Sequence, residues 1–94
     1  MARLTPSQIA DALSSLPGWT ANEGRLEATM TFAGFVQAVA FVNRVAALAE
    51  AAAHHPDIDI RYSRVRISLT TYDEGGVTDR DVQLARQIAA AVAG

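Results

Sequence analysis

His54 and His55 are the only histidines in a chain of 94 residues. They sit in the stretch AEAAAHHPDIDIRYS, residues 49–63, behind an alanine-rich run and directly before Pro56. Imidazole is the side chain that gives and takes protons near neutral pH, so the pair points first to acid–base chemistry. Glu50 precedes His54 by four residues, and on a continuous helix the two share a face. Its carboxylate, with the negative end of the helix dipole, favours a protonated ring. Asn43, one heptad before Glu50, extends the same polar line. A second reading is purely structural. Cationic residues are common in the last turn of a helix, and proline commonly follows its end.

Other residues offer chemistry that is less specific. Adjacent histidines on a helix point about 100° apart, so they do not share a metal the way an i, i+4 pair does. Asp57 or Asp59 could add a ligand, but with no cysteine and no third histidine the expectation is no metal site. The glycines of EGGVT, 74–78, could approach a phosphate, yet they lack a phosphate-loop pattern and suit a tight turn. Asp81 can face a ligand or cap a helix from within Thr78-Asp79-Arg80-Asp81. Arg61, Arg64 and Arg66 can form a cationic edge or the solvated face of a strand. Trp19 can stack on a ligand ring or belong to the core.

Secondary structure must position these groups. LTPSQIADALSSLPGW, 4–19, reads as a short helix, with Thr5 as N-cap, Pro6 at the first position, Gln8 completing a capping box, and Leu4 and Ile9 as a staple. Pro17 and Gly18 end it. Trp19–Ala21 and Arg25–Thr31 alternate like hairpin strands around the turn residues Asn22, Glu23 and Gly24. From Phe32 to about Ala53 the period is helical. Phe35, Val39, Val42, Ala46, Ala49 and Ala53 form one apolar stripe, and Phe41, Val45, Leu48 and Ala52 form another. Two stripes call for cover on more than one side, and a partner subunit would supply it.

Asp57–Tyr62 alternates with Ile58, Ile60 and Tyr62 on one face. A tight connection at Ser63 and Arg64 then leads into Val65, Ile67 and Leu69. A last helix follows the DEGGVTDRD loop, 73–81, capped by Thr78 and Asp81, stapled by Val77 and Val82, and apolar along Val82, Ala85, Ile88, Ala89 and Val92. The expected fold class is therefore α+β: a four-stranded antiparallel sheet with three helices packed on one face, in the order α-β-β-α-β-β-α, as a single domain over 1–94.

Composition narrows the function. Half of the residues are hydrophobic and 19% are charged, a globular balance. A net charge of −2 argues against direct nucleic-acid binding. The lack of cysteine removes disulfide and thiolate chemistry and fits a cytoplasmic location. Met1–Pro6 has no apolar run of the secretory kind. The apolar stretch Ala38–Ala53 is broken by Asn43, Arg44 and Glu50, so no membrane role is expected. A domain of this size buries only roughly 60–70% of its unfolded surface, so self-association would help it.

Taken together, these residues resemble the pterin-4a-carbinolamine dehydratase family. The likeness is carried by LPGW at Leu16–Trp19, by Glu50 followed by His54-His55-Pro56, by Tyr62, and by TYDEGGVTDRD at Thr71–Asp81, and it covers most of the chain. The resemblance implies loss of water from 4a-hydroxytetrahydropterin to give quinonoid dihydropterin, in support of pterin recycling, with no cofactor. It implies a homodimer or homotetramer. It makes His54 and His55 the catalytic acid–base and pterin-contacting residues, has Glu50 orient or tune His54, and places Glu50, Pro56, Tyr72 and Asp81 at the substrate.

One position departs from the family pattern. A third histidine normally follows the threonine that matches Thr71, and this sequence has Tyr72. A phenol can hydrogen-bond, but its ordinary pKa of about 10 suits it poorly to shuttling protons at neutral pH. The alternative function is therefore a catalytically weak or inactive member acting as a protein-binding or assembly module, since a fold can outlive its chemistry. An isomerase or hydrolase acting on another cyclic substrate is a third possibility.

Overall fold

The computed structural model describes residues 2–93. Helix α1, Pro6–Leu13, begins as its residues dictate. The Thr5 hydroxyl accepts from the Gln8 amide at 3.1 Å, and the Gln8 side chain accepts from the Thr5 amide at 2.8 Å. Both donors would otherwise lack a partner at a helix start. Leu4 and Ile9 pack against the core. Leu16 and Trp19 then carry the chain into the interior and are buried, so Trp19 is a core residue.

Strands β1, Trp19–Asn22, and β2, Arg25–Thr31, form the first hairpin. Its connection is Glu23-Gly24, both with positive φ, at 49° and 77°, the conformation that matches strand twist in a two-residue hairpin. Strands β3, Asp57–Arg61, and β4, Arg64–Leu69, form the second. The sheet order is β1-β2-β4-β3, antiparallel throughout. Leu26, Ala28 and Met30 of β2 lie opposite Leu69, Ile67 and Val65 of β4, and alternation places all six on one face. That face meets α2, Phe35–Ala52, and α3, Asp79–Ala93, through Phe41, Val45, Leu84 and Ile88. Glu27, Thr29, Arg66 and Ser68 point to the uncovered face. The α+β architecture and its element order are those expected.

Three local expectations need correction. The second hairpin turns at Tyr62-Ser63, because Arg61 pairs with Arg64 and Tyr62 takes a φ of 52°. Tyr62 is thus outside the strand, and with Ile60 it stays exposed. Only Ile58 is half-buried, because β3 is an edge strand.

Helix α2 starts three residues later than its apolar period suggested. The Phe32 amide donates to the Ser63 carbonyl at 2.8 Å, which extends the sheet, and the Phe32 ring packs on Phe41 with centroids 5.0 Å apart.

The two apolar stripes of α2 also merge differently. Ala38, Phe41, Val45 and Ala49 are buried, whereas Phe35 and Val36 are exposed. By length and composition α2 is apolar enough to cross a bilayer, but here its buried stripe builds the core.

Candidate active site

The site forms where α2 stops. Ala53 adopts left-handed backbone, with φ 51° and ψ 40°. The Ala53 amide donates to the Glu50 carbonyl and the His54 amide to the Ala49 carbonyl, each at 3.1 Å. This is the Schellman arrangement, which satisfies carbonyls left open at a helix end and turns the chain sharply back. His54 is therefore beyond the helix, and the i, i+4 relation to Glu50 does not exist. The carboxylate of Glu50 instead meets Nε2 of His55. This corrects the expectation that Glu50 orients His54.

His54 turns inward and is buried. Its Nε2 lies 2.5 Å from Oδ1 of Asp81, a residue with no exposed surface. The other oxygen, Oδ2, accepts from the Thr71 hydroxyl at 2.8 Å and from the Thr78 amide at 2.9 Å. The Thr71 and Thr78 hydroxyls are 2.8 Å apart. Asp81 thus caps α3 and holds His54 at once, so of the two readings of its spacing the cap is the one realised. Expected at the substrate, it is instead enclosed by protein donors, with His54 as its one contact on the pocket side.

An ionised carboxylate only accepts hydrogen bonds, so the hydrogen on His54 belongs on Nε2. Nδ1 then carries a lone pair. No buried polar side-chain atom among the described residues lacks a partner. Nδ1 has no hydrogen-bond partner among the described residues and so reaches the surface.

His55 and Glu50 are both exposed, with 63% and 77% of their side-chain surface open. Two neighbouring imidazoles thus have separate carboxylate partners, one pair dry and one wet. They face a common pocket of about 300 Å³, which Thr71, Tyr72 and Arg80 also line. Arg80 donates to the Ala53 carbonyl at 2.8 Å and braces the left-handed turn. Pro56 is half-buried at the start of β3 and does not line the pocket.

Tyr72 opens a 3₁₀ turn, Tyr72–Glu74, closed by Gly75 at φ 73° and by the Thr71–Gly76 bridge. The EGGVT glycines thus serve a tight turn. The Tyr72 hydroxyl accepts from Arg25 at 3.0 Å. That bond and the one to Asp57 keep the Arg25 guanidinium more firmly protonated than usual.

A second depression, about 380 Å³, lies on the uncovered sheet face among Arg25, Glu27, Asp57, Asp59 and Arg66. Its charges pair with one another, Arg25 with Asp57 and Arg66 with Glu27, both at 2.9 Å. The Arg66 guanidinium holds the Glu27 carboxyl below the usual carboxylate range, against a smaller opposing effect of burial. Arg61 pairs with Asp59, so two of the three arginines of the cationic edge, Arg61 and Arg66, are charge-paired. No cluster of metal-ligating side chains occurs among the described residues.

Sequence reasoning missed Arg25, Arg80 and the role of Thr71. Their partners lie 47, 27 and 10 residues away, beyond the reach of local spacing.

Residues 2–91 match the family described as Pterin 4 alpha carbinolamine dehydratase. The chain is 56% identical over 90 residues to a protein of Acidobacterium capsulatum provisionally named pterin-4-alpha-carbinolamine dehydratase, covering 96% of this chain and 98% of that one. A protein of Thermomicrobium roseum with the same provisional name is 54% identical, over 95% and 96%. Among solved structures, a transcriptional coactivator/pterin dehydratase from Brucella melitensis superposes with a TM-score of 0.92 at 35% identity, over 95% of this chain and 97% of that one. A pterin dehydratase-like protein described as a RuBisCO assembly factor in the alpha-carboxysome gives a TM-score of 0.65 at 23% identity, over 78% and 84%. At that identity the likeness speaks for the fold alone.

Proposed function

The chain belongs to the pterin 4 alpha carbinolamine dehydratase family, and on that premise we propose that it removes water from a 4a-hydroxytetrahydropterin, giving a quinonoid dihydropterin. The observation that carries the reading is the histidine pair, each ring held by its own carboxylate and both facing one pocket. The reaction needs two proton transfers. One proton leaves a ring nitrogen of the pterin, and one joins the 4a-hydroxyl as its C–O bond breaks and water departs.

His54 suits the first transfer. Its Nδ1 lone pair is open, and the imidazolium formed on taking a proton would rest against buried Asp81, as an aspartate supports the histidine of a hydrolase triad. His55 suits the second, since an exposed ring reloads its proton from water between turnovers. Glu50 orients His55. Pterin recycling in the cytoplasm, by a homodimer or homotetramer, completes the proposal. The exposed Phe35, Val36 and Tyr62 support self-association.

The test is the dehydration rate of freshly generated 4a-hydroxytetrahydropterin, followed by ultraviolet absorbance. A wild-type rate well above the spontaneous one, lost in His54→Ala and His55→Ala, is the expected result. Equal rates in wild type and buffer would remove the reading. The alternative, a non-catalytic binding or assembly module, draws its support from Tyr72, whose hydroxyl is engaged by Arg25 at 3.0 Å.

A further inference from the structure

Three side chains from separate elements close a triangle beside the histidines. Arg25 of β2 donates through Nη2 to the Tyr72 hydroxyl at 3.0 Å and through Nη1 to Asp57 of β3 at 2.9 Å. The Tyr72 hydroxyl in turn donates to Asp57 at 3.4 Å. The Arg25 guanidinium carbon lies 5.6 Å from the centre of the Tyr72 ring, within cation–π range. Tyr72 lines the histidine pocket, whereas Arg25 and Asp57 line the depression next to it on the uncovered sheet face. The phenol is gripped from behind. Its proton is directed at Asp57 and one lone pair accepts from Arg25, so its hydroxyl has no hydrogen free to donate to His54 or His55. Tyr72 lines the pocket while 68% of the residue stays exposed.

We propose that Tyr72 contributes its ring as a wall against which one face of the bicyclic pterin lies as it flattens toward the dihydropterin, and that Arg25 and Asp57 are positioning residues that hold this wall in place. The inference rests on the pterin reading above. Offset stacking of flat rings is favourable and needs a fixed face. A side chain so exposed loses that orientation without a clamp, because ordering it would then count against binding.

The experiment uses 7,8-dihydropterin, a planar ligand with no 4a-hydroxyl to lose, titrated by fluorescence in parallel with turnover of 4a-hydroxytetrahydropterin. Tyr72→Ala is expected to weaken binding about 10-fold, and Tyr72→Phe, which keeps the ring but loses both hydrogen bonds of the clamp, by roughly 3-fold or somewhat more, never beyond Tyr72→Ala. Arg25→Ala is expected to raise KM roughly 3- to 10-fold with kcat nearly unchanged, with partial recovery in Arg25→Lys. In a Tyr72→Ala background, Arg25→Ala should add nothing further.

A drop in kcat of about 100-fold in Tyr72→Phe at unchanged binding would show a working hydroxyl and overturn the inference. So would an Arg25→Ala effect that persists without the ring. Wild-type binding left intact by Tyr72→Ala would remove the wall but not the pterin reading. A wild type that binds no dihydropterin would remove both.

Discussion

Asp81 Oδ1 lies 2.5 Å from His54 Nε2, between two side chains almost wholly shut off from solvent. The same carboxylate accepts from Thr71 and Thr78, so one residue fixes a helix start, a loop and a ring. Asp81→Ala would strand these donors in the interior and should cost about 2–4 kcal/mol, read from urea unfolding. Asp81→Asn separates folding from chemistry. If its amide oxygen serves Thr71 and Thr78, its NH₂ must donate to Nε2 and move the ring hydrogen to Nδ1. Stability should then fall by only about 1–2 kcal/mol while turnover drops roughly 10²- to 10⁴-fold.

His55→Ala should behave in the opposite proportion. Its contact with Glu50 is between exposed groups, and such pairs contribute about 0–1 kcal/mol. Unfolding midpoints should barely move, whereas turnover should fall about 10²-fold or more. A large loss of stability with intact turnover would place His55 outside the chemistry.

Ala53→Gly should stabilise the protein. Alanine at φ 51° bears the steric cost of left-handed backbone, which glycine avoids. A gain of about 0.5–1 kcal/mol is expected, less whatever glycine adds to the freedom of the unfolded chain. Thermal unfolding of the two forms measures it. Turnover should hold, since Arg80 braces the Ala53 carbonyl and not its side chain.

Glu27 predicts an acid-sensitive share of the stability. Its folded pKa lies below the ordinary value of 4.5, first because Arg66 donates to it. A depressed carboxylate pKa stabilises the fold at pH above the unfolded value and loses that effect as pH falls through the folded one. Urea midpoints of wild type and Glu27→Gln, compared between about pH 3 and 7, should differ most above about 4.5 and converge in acid. A constant gap across the range would assign the difference to packing.

Much of the fold was legible because its signals are local. Thr5 and Gln8 announce α1, Thr78 and Asp81 announce α3, and alternation along Leu26–Met30 and Val65–Leu69 gives the two central strands. The site was legible in its residue types but not in its pairings. The helical period was read to about Ala53 and its geometry carried on to His54, whereas the chain turns left-handed at Ala53, and alanine carries no signal for left-handed backbone. From that one residue follows the exchange of partners, with Glu50 on His55 and Asp81 on His54. The engagement of Tyr72 by Arg25, 47 residues away, depends on how two hairpins and a loop converge, and no spacing rule reaches that far. Tyr62 and Ile60 alternate like buried residues, yet Ile60 lies toward the far end of an edge strand and Tyr62 in the turn beyond it.

The left-handed turn at Ala53 also works as a counter. His54 and His55 are consecutive, and only their distance from that turn decides which ring goes inside. Replacing neighbours such as Ala51 or Ala52 leaves the count unchanged. Inserting or deleting one residue between Ala52 and Pro56 would hand the inner place to the wrong ring or to none. For the exposed alanines before the turn, number matters to the site more than identity.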